Sequence, residues 1–454
     1  MTARPIFHES LYRFDQAQPS YWEATAGPRD LTAAPLASHE SCDVAIIGGG
    51  YTGLSAAFHL ARDHGIEARL LEAGHIGWGA SGRNGGFCSV GGTKLSLEGA
   101  LKRYGVEEVR RYYASQVEAV ELVRALGQEL AIDYWAQGDG EFTVANSPAH
   151  FAALAEESAL QRQQLGLDSR MLDREAFLEV GYDSPEQHGA LHLKPTFGLH
   201  PLRYCLGLAR AAKAKGVRLH PGSQVLEWRK EAGGHLLVTD GGSLKAGQVI
   251  VACNGFMPEQ LHRSLFARTL PLQTGIVVTR PLRDEELAAQ GWHTENPAID
   301  ARHLFCYFRV LPDRRLLIGG RGDAVGAPDG AEATFRELEA RIGEMWPAWR
   351  GIEIDYRWRG LVCFTGDLRP AIGRFPDDPS VYFGFGYHGN GVNSATWTGR
   401  ELANWLATHN EPSAPEPAHL PAMVRGLTRR FPLPGLRRTY IKAATAYYRY
   451  LDRR

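Results

Sequence analysis

The chain has few cysteines and almost no net charge, and both features restrict the classes of protein to which it can belong. Its 454 residues include six cysteines, scattered and without a C-x-x-C pair. We therefore expect no disulfide scaffold and no metal site, and a reducing compartment is favoured. Fifty Lys and Arg against 51 Asp and Glu leave a net charge of −1. This balance argues against a nucleic-acid partner, which requires a broad basic surface.

Long apolar segments are scarce as well. The first 19 residues carry Arg4, Glu9, Arg13 and Asp15 and have no apolar core, so we expect no signal peptide. The range 44–61 contains no Asp, Glu, Lys or Arg. Its glycines and alanines fit the turn and helix described next better than a membrane-spanning helix. The sequence therefore favours a cytoplasmic protein.

Glycine, in contrast, is abundant, with 51 residues, and a group of glycines follows the first clear strand. Residues 43–47 form a short apolar run that is typical of a buried parallel strand. Gly48, Gly50 and Gly53 then form a G-x-G-x-x-G pattern ahead of a predicted helix at 54–64. Glycines at this spacing let the backbone approach a pyrophosphate at the helix N-terminus. The pattern predicts an ADP-containing dinucleotide.

Two further features favour FAD over NAD. Glu72 ends a second predicted strand, where an acid accepts hydrogen bonds from ribose hydroxyls. Glycine-rich segments also occur at 77–86, 249–255 and 384–391. Their wide separation in the sequence suggests one extended ligand that lies across the carboxyl edge of the sheet.

Five motifs extend this pattern over most of the chain. They are CDVAIIGGGYTG at 42–53, LEAGHIGWGASGRNGG at 71–86, HPL at 200–202, IDYRW at 354–358 and the glycine-rich turn at 386–392. On these motifs the chain resembles the FAD-dependent D-amino-acid-oxidase-like superfamily, which includes glycine oxidase and monomeric sarcosine oxidase. Within that superfamily it is most similar to the γ-glutamylputrescine oxidoreductases. The resemblance implies an α/β fold with a Rossmann-type FAD-binding domain built from discontinuous segments, and a substrate domain with a mixed β-sheet and helices.

The expected domains alternate along the chain. An N-terminal arm at 1–40 is rich in aromatic residues and is expected to pack on the body, and a basic tail at 411–454 closes the sequence. The FAD-binding domain is predicted at 41–110, 185–260 and 350–410, and the substrate domain at 111–184 and 261–349.

The resemblance also implies which residues hold the cofactor. Glycines of the first turn and Glu72 would bind the ADP half, the loop after Glu72 would follow the pyrophosphate and flavin, and the turn before the last helix would present amides to the flavin pyrimidine edge. The strand that contains Val225 would contact adenine through its backbone. The full set is Gly48, Gly50, Tyr51, Thr52, Gly53, Glu72, Ala73, Ala80, Ser81, Arg83, Asn84, Gly85, Gly86, Val225, Asn254, Gly255, Gly389, Asn390, Gly391 and Val392.

Three residues are candidates for the substrate pocket. Tyr307 and Arg309 lie on one predicted strand, and His388 lies in the last glycine-rich turn. A histidine that titrates near working pH could accept the proton of an amine substrate. The alternatives are sheet packing for Tyr307, a structural ion pair for Arg309 and a backbone hydrogen bond for His388.

The sequence departs from its sarcosine-oxidase-like relatives at positions that affect substrate binding, and it has a cysteine near the position where those relatives attach the flavin. Asn393 replaces a lysine that binds substrate carboxylate, and Ile318 stands where a lysine faces the flavin. The change at Asn393 disfavours a simple N-methylglycine as substrate, and the change at Ile318 leaves open whether oxygen is the electron acceptor. Cys363 lies near the position of a cysteine that links the flavin covalently in those relatives. We expect noncovalent FAD, with a link to Cys363 as the alternative.

The end of the chain is strongly basic. Residues 423–454 contain nine Arg or Lys and one acid. A predicted helix there places apolar residues on one face, which is either a peripheral membrane contact or a face packed on the body of the same chain or of a partner subunit. The residues of that face are Leu436, Tyr440, Ala443, Tyr447 and Leu451.

Three functions remain open at this point. The first is a flavin enzyme that dehydrogenates the C–N bond of an amine, such as an N-acylated polyamine like γ-glutamylputrescine or an amino acid, by hydride transfer to FAD with oxygen as acceptor. The second is a membrane-associated flavin dehydrogenase that passes electrons to quinone or another acceptor. The third is a non-catalytic flavin-binding redox sensor, which a full substrate domain disfavours. The sequence does not indicate an oligomeric state.

Overall fold

The fold is described here from a computed structural model that covers residues 6–408 and 415–452. Parts of the predicted segments lie outside the described residues: 1–5 of the arm with Arg4, 409–410 at the end of the last FAD-binding segment, and 411–414, Arg453 and Arg454 of the tail.

The helices are distributed along the whole described chain. They are α1 Tyr21–Thr25, α2 Tyr51–His64, α3 Leu97–Tyr104, α4 Val106–Glu129, α5 Pro148–Leu160, α6 Arg174–Val180, α7 Pro201–Ala214, α8 Asp284–Ala289, α9 Pro328–Met345, α10 Gly391–Thr408 and α11 Arg437–Leu451.

The strands range in length from two residues to 13. They are β1 His39–Ile47, β2 Ala68–Leu71, β3 Phe87–Cys88, β4 Glu141–Val144, β5 Asp168–Leu172, β6 Ala190–Lys194, β7 Phe197–Gly198, β8 Arg218–His220, β9 Glu227–Glu231, β10 Gly234–Val238, β11 Ser243–Val251, β12 Thr269–Pro281, β13 Ala298–Asp300, β14 Tyr307–Val310, β15 Arg315–Arg321, β16 Ile354–Thr365, β17 Ala371–Phe375 and β18 Asp378–Phe385.

The first sheet has the order β17-β18-β11-β1-β2-β8, with β10 and β9 attached beside β11. Strand β1 is parallel to both β2 and β11, and β11 is parallel to β18. The residues of β1 from Val44 onward are buried, as expected for a parallel strand covered on both faces. Helix α2 connects β1 to β2, so the predicted β-α-β unit is present.

The second sheet has the order β16-β12-β15-β14-β13-β4-β6-β5 and is mixed. Its only parallel pair among the described strands is β13 with β4. Helix α9, which the sequence reasoning did not predict, packs on this sheet. Its residues Phe335, Leu338 and Ile342 share one apolar core with Val277 and Phe308. The two sheets together give the predicted architecture of a Rossmann-type domain and a mixed-sheet domain.

Two strands inside the predicted FAD-binding segments pair in the second sheet. Strand β6, within 185–260, pairs with β4 and β5, and β16, within 350–410, pairs with β12 along most of its length. A third difference is local: the strand expected through Val225 is interrupted after β8, and Val225 lies in the irregular segment before β9. The chain therefore crosses between the sheets more often than the sequence pattern indicates.

The N-terminal arm packs on the body, as predicted. Trp22 and Tyr21 in α1 are fully buried. The Trp22 indole N–H donates to the Asn84 carbonyl at 2.8 Å. The arm therefore helps to hold the loop that follows Glu72.

The tail forms the predicted helix, but a different face of α11 is buried. Ile441 is buried, whereas Leu436 and Tyr447 of the predicted face are 45% and 58% exposed. The reason is Arg437, whose guanidinium turns inward and binds both carboxylate oxygens of Glu259, at 2.6 and 2.9 Å. Packing on its own chain is therefore the arrangement that the structure shows for α11. Within the described residues, no helix is long and apolar enough to cross a membrane.

Breaking the Arg437–Glu259 ion pair should destabilise the protein. Both side chains are nearly buried, and removal of one partner leaves an uncompensated charge that costs about 3–5 kcal/mol. We expect Arg437→Met to lower the midpoint of thermal unfolding and to make the C-terminal segment sensitive to protease. The matched control is Arg438→Met at an exposed neighbouring position. Equal stability of the two variants would contradict the role given to Arg437.

Candidate active site

A cavity of about 1260 Å³ extends from the end of β1 to α11 and is lined by both sheets. This volume exceeds the roughly 300–1,000 Å³ that is usual for a pocket holding one small ligand. The cavity therefore has room for a dinucleotide and for a second molecule beside it.

The turn between β1 and α2 forms the first wall of the cavity. Gly48 has a φ of +115°, and a Cβ there would lie 2.7 Å from the Ala252 carbonyl oxygen. A Cβ on Gly53 would lie 2.0 Å from the Gly48 carbonyl oxygen. No side chain fits at either position, so the glycines are required by the tight turn that opens α2 toward the cavity.

Glu72 stands at the end of β2 beside this turn. Its carboxylate accepts the Gly49 N–H at 2.6 Å and the Gly74 N–H at 2.8 Å. Burial raises the pKa of Glu72, and the two backbone amides oppose that rise. Glu72 therefore fixes the glycine turn and lines the cavity where a ribose hydroxyl would be bound.

The loop that follows Glu72 presents a buried cation. The Arg83 Nε donates to the Trp78 carbonyl at 2.6 Å, and the guanidinium lies 3.9 Å from the Trp78 ring centroid. Its Nη2 is buried with no hydrogen-bond partner in the described part of the chain, and burial lowers the pKa of Arg83 to about 9. Trp358, from the IDYRW motif, holds the loop by donating to the Arg83 carbonyl at 2.8 Å. An unsatisfied donor at this wall fits an anionic or carbonyl-bearing cofactor.

The last glycine-rich turn supplies the opposite wall. Helix α10 begins at Gly391, so its first amides open toward the cavity. The Asn390 side chain donates to Gln116 at 3.4 Å and to Ser394 at 3.3 Å. The positive end of the helix dipole favours negative charge nearby, which fits the pyrimidine edge of a flavin that gains electrons.

Most of the predicted cofactor residues line this one cavity. The exceptions are Gly53 and Gly86, whose missing side chains allow backbone packing instead. Those that line the cavity are Gly48, Gly50, Tyr51, Thr52, Glu72, Ala73, Ala80, Ser81, Arg83, Asn84, Gly85, Val225, Asn254, Gly255, Gly389, Asn390, Gly391 and Val392.

His388 also lines the cavity, but the expectation that it titrates near working pH is wrong. Its ring is buried, and the loss of hydration lowers the pKa of His388 to about 3. The Nε2 atom lies 3.2 Å from the Thr365 hydroxyl, and Nδ1 has no partner among the described residues. A neutral imidazole here can exchange hydrogen bonds with a ligand, but it is a weak base.

Tyr307 and Arg309, both on β14, are placed differently. The Tyr307 ring lines the cavity between Gly85 and Gly319, and burial raises the pKa of Tyr307, so its hydroxyl stays protonated. Arg309 does not line the cavity. It lies under Gly86 and donates to the Leu199 carbonyl at 2.5 Å. Arg309 therefore supports the loop that follows Glu72 from behind, and its prediction as a pocket residue is wrong.

Asn393 and Ile318, which stand where sarcosine-oxidase-like relatives have lysines, also lie away from the cavity. Asn393 is fully buried in α10, and Ile318 is buried in the core under α9. Neither is among the lining residues, because each side chain points to the opposite side of its element. On the strand that carries Ile318, the cavity is lined instead by Arg321.

Among the lining residues that the sequence reasoning did not predict are Ser89, Lys94 and Glu141. The Ser89 hydroxyl donates to the Glu141 carboxylate, and Lys94 lies 5.2 Å from the Phe305 ring centroid. Burial raises the pKa of Glu141 to about 7. No motif marks these residues, since Glu141 stands alone at the start of β4.

Helix α11 closes the far end of the cavity. Tyr440, Ile441 and Tyr448 are among its lining residues. The helix is anchored by Asp452, whose carboxylate accepts the N–H groups of His303 and Leu304, each at 2.9 Å. The tail is thus a wall of the site.

A tight glycine turn, an acid at the next strand end and a helix N-terminus around one cavity define a dinucleotide-dependent oxidoreductase. The chain belongs to the FAD dependent oxidoreductase (DAO) family, whose sequence profile matches residues 43–405. This confirms the predicted family, the enzyme class and FAD as the cofactor.

Curated relatives span almost the full chain. Gamma-glutamylputrescine oxidoreductase of Escherichia coli K12 is 32% identical over 91% of this chain and 93% of that enzyme. Glycine oxidase of Bacillus subtilis 168 is 27% identical over 80% of this chain and 92% of that enzyme. Among solved structures, glycine oxidase from Geobacillus kaustophilus superposes with a TM-score of 0.72 at 23% identity, covering 86% of this chain and 100% of that one. That likeness confirms the fold.

Removal of the Glu72 carboxylate should weaken FAD binding. A hydrogen bond to a charged group contributes about 1.5–3 kcal/mol, so we expect Glu72→Ala to raise the dissociation constant of FAD by about 10-fold or more. The measurement is titration of the apoprotein with FAD. Glu67→Ala, at an exposed position just before β2, is the matched control. Unchanged affinity in Glu72→Ala would argue strongly against the role of this carboxylate.

The flavin should be released when the protein is precipitated with acid. Cys363 lines the cavity, but burial raises the pKa of its thiol well above the usual range, and a thioether requires a thiolate. We expect all flavin absorbance in the supernatant, for the native chain and for Cys363→Ser alike. Flavin that stays with the native pellet and is lost in Cys363→Ser would identify Cys363 as an attachment site.

Proposed function

We propose that this enzyme dehydrogenates the C–N bond of an amine, preferably an N-acylated polyamine such as γ-glutamylputrescine. The observation that carries the proposal is the cavity, which continues beyond the cofactor residues to a second wall formed by β4, β14, β15 and α11. The 32% identity with gamma-glutamylputrescine oxidoreductase over nearly the whole chain supports the same substrate class.

In the proposed reaction, the substrate carbon next to nitrogen gives up a hydride and the nitrogen gives up a proton, so that C–N becomes C=N. FAD, when bound, supplies the hydride acceptor. Water then hydrolyses the imine to a carbonyl compound and ammonia. With oxygen as the final acceptor, each turnover yields one hydrogen peroxide.

The task of the protein is to present a neutral amine. An ammonium nitrogen has no lone pair to assist hydride loss, and a cavity that removes water disfavours the charged form. Neutral His388 lines this cavity, and its Nδ1 is buried with no hydrogen-bond partner among the described residues. Protonated Tyr307 stands between Gly85 and Gly319, and we assign it the positioning of the substrate over the flavin.

A second candidate is a flavin dehydrogenase that docks on a membrane and reduces a quinone. One observation favours it: the outer side of α11 and the turn before it expose Leu433, Leu436, Tyr447 and Tyr450. Arg438 and Lys442 are exposed on the same helix. Apolar and basic residues together are typical of an interfacial helix. The redox-sensor alternative has no comparable support, since a sensor does not need the substrate-side cavity.

The substrate class is tested by flavin bleaching without oxygen. We expect γ-glutamylputrescine to reduce the bound FAD, with amino acids slower, and 2-hydroxy acids and alcohols inactive, because only the amines provide a nitrogen lone pair. The measurement is loss of flavin absorbance in stopped flow. Faster reduction by sarcosine than by any acylated polyamine would contradict the proposed substrate class.

Admission of oxygen then separates the two acceptors. Stoichiometric hydrogen peroxide supports the oxidase. Slow reoxidation by oxygen, but rapid reoxidation by a soluble quinone in the presence of anionic vesicles, would favour the dehydrogenase.

A further inference from the structure

Helix α11 presents a continuous stripe of side chains to the cavity. Tyr440, Ala444 and Tyr448 line the cavity together with Ile441, and residues four apart lie on one face of a helix. Ile441 holds the N-terminal half of the stripe, because it is buried in one apolar cluster with Leu361. Tyr448 forms the C-terminal end of the stripe and is 37% exposed. Tyr448 therefore stands at the boundary between the cavity and solvent.

The loop between β13 and β14 fixes the ring of Tyr448. This ring stacks on His303, with ring centroids 5.3 Å apart and an angle of 15° between the planes. His303, Leu304 and Phe305 of the loop also line the cavity. The loop leads directly into β14, which begins at Tyr307. The stacked rings therefore lie beside the part of the cavity that is assigned to the substrate.

Asp452 holds the helix and this loop together. Its carboxylate accepts the N–H groups of His303 and Leu304 at 2.9 Å each, and it lies 2.8 Å from the His303 Nδ1. Asp452 is the C-cap of α11, where the helix dipole disfavours an acid. It is also the one acid in the otherwise basic sequence of 423–454. The loop that Asp452 binds, and not the helix, therefore explains an acid at this position.

We propose that Tyr448, stacked on His303, is a specificity-determining residue that limits the length of the acyl group on the substrate. This inference rests on the proposed function, in which the amine of an acylated polyamine is oxidised at the flavin and the acyl group extends toward α11. An acyl group that reaches the two stacked rings must end there or displace them. Asp452 is a positioning residue, because it joins the end of α11 to the loop on which the Tyr448 ring rests.

The test uses N-acylputrescines with acyl groups from acetyl to octanoyl. The series keeps the amine constant and lengthens the other end by one methylene group at a time. FAD-loaded protein is mixed with each compound without oxygen. The dissociation constant is obtained from the concentration dependence of flavin reduction, or from equilibrium titration of the flavin spectrum for compounds that do not reduce it.

We expect the native protein to bind successive members about fourfold more tightly per methylene group until the acyl chain meets Tyr448, and to bind longer members more weakly. Tyr448→Ala should move this turning point to longer chains, because the ring is removed. Tyr448→Phe keeps the ring and should keep the native turning point. Tyr447→Ala is the matched control, since Tyr447 is the neighbouring tyrosine, is 58% exposed and does not line the cavity.

Loss of the Asp452 carboxylate should act on long acyl groups alone. We expect Asp452→Ala to bind members beyond the native turning point more tightly than the native protein does. Its dissociation constant and its rate of flavin reduction with N-acetylputrescine should be unchanged. A general loss of structure would affect short and long compounds alike, and that result would contradict the positioning role.

A native series without a turning point would overturn the inference, and this comparison needs no variant. A turning point that moves in Tyr440→Ala, but not in Tyr448→Ala, would also overturn it. The two proposals fail separately. If the turning point is found but no compound reduces the flavin, the proposed reaction is wrong and the role of Tyr448 stands. If the compounds reduce the flavin without a turning point, the reaction stands and the role of Tyr448 is wrong.

Discussion

The close approach of three backbone segments is the constraint on which the rest of the site depends. The end of β1, the start of α2 and the end of β11 meet so tightly that no Cβ fits at Gly48 or Gly53. This contact turns the N-terminus of α2 toward the cavity. It also brings the Gly49 amide onto the Glu72 carboxylate at 2.6 Å. A dinucleotide requires both features at one sheet edge: the positive potential of a helix N-terminus for its phosphates and a fixed acid for its ribose.

The second sheet converts this cofactor cleft into an enclosed site. Strands β4, β14 and β15 bring Glu141, Tyr307 and Arg321 to the wall that faces the glycine turns. Because enclosure removes water from the cavity wall, burial determines the charge states of the titratable side chains there. His388 is held neutral and the Tyr307 hydroxyl stays protonated. The electrostatics of the substrate side are thus a consequence of burial more than of residue type.

The described parts of the arm and the tail, which lie outside the family match at 43–405, both contact the site. Trp22 of the arm holds the Asn84 carbonyl, and α11 of the tail lines the far end of the cavity. Buried contacts at both ends of α11, through Arg437 and Asp452, fix that helix in place. The family core carries the cofactor motifs, and α11 of the tail lines the cavity beyond them.

The sequence alone determined the cofactor half, because its signals are local. A tight turn without room for side chains needs glycines at fixed spacing, and an acid at the next strand end follows within one β-α-β unit. Tertiary packing decided the rest. Tyr307 and Arg309 share one face of β14, but Gly86 lies over Arg309 and leaves only Tyr307 open to the cavity. The ion pair between Arg437 of α11 and Glu259 decides which face of that helix is buried. Lys94 and Glu141 come from separate elements, and no sequence pattern joins residues that line one cavity only because two sheets enclose it.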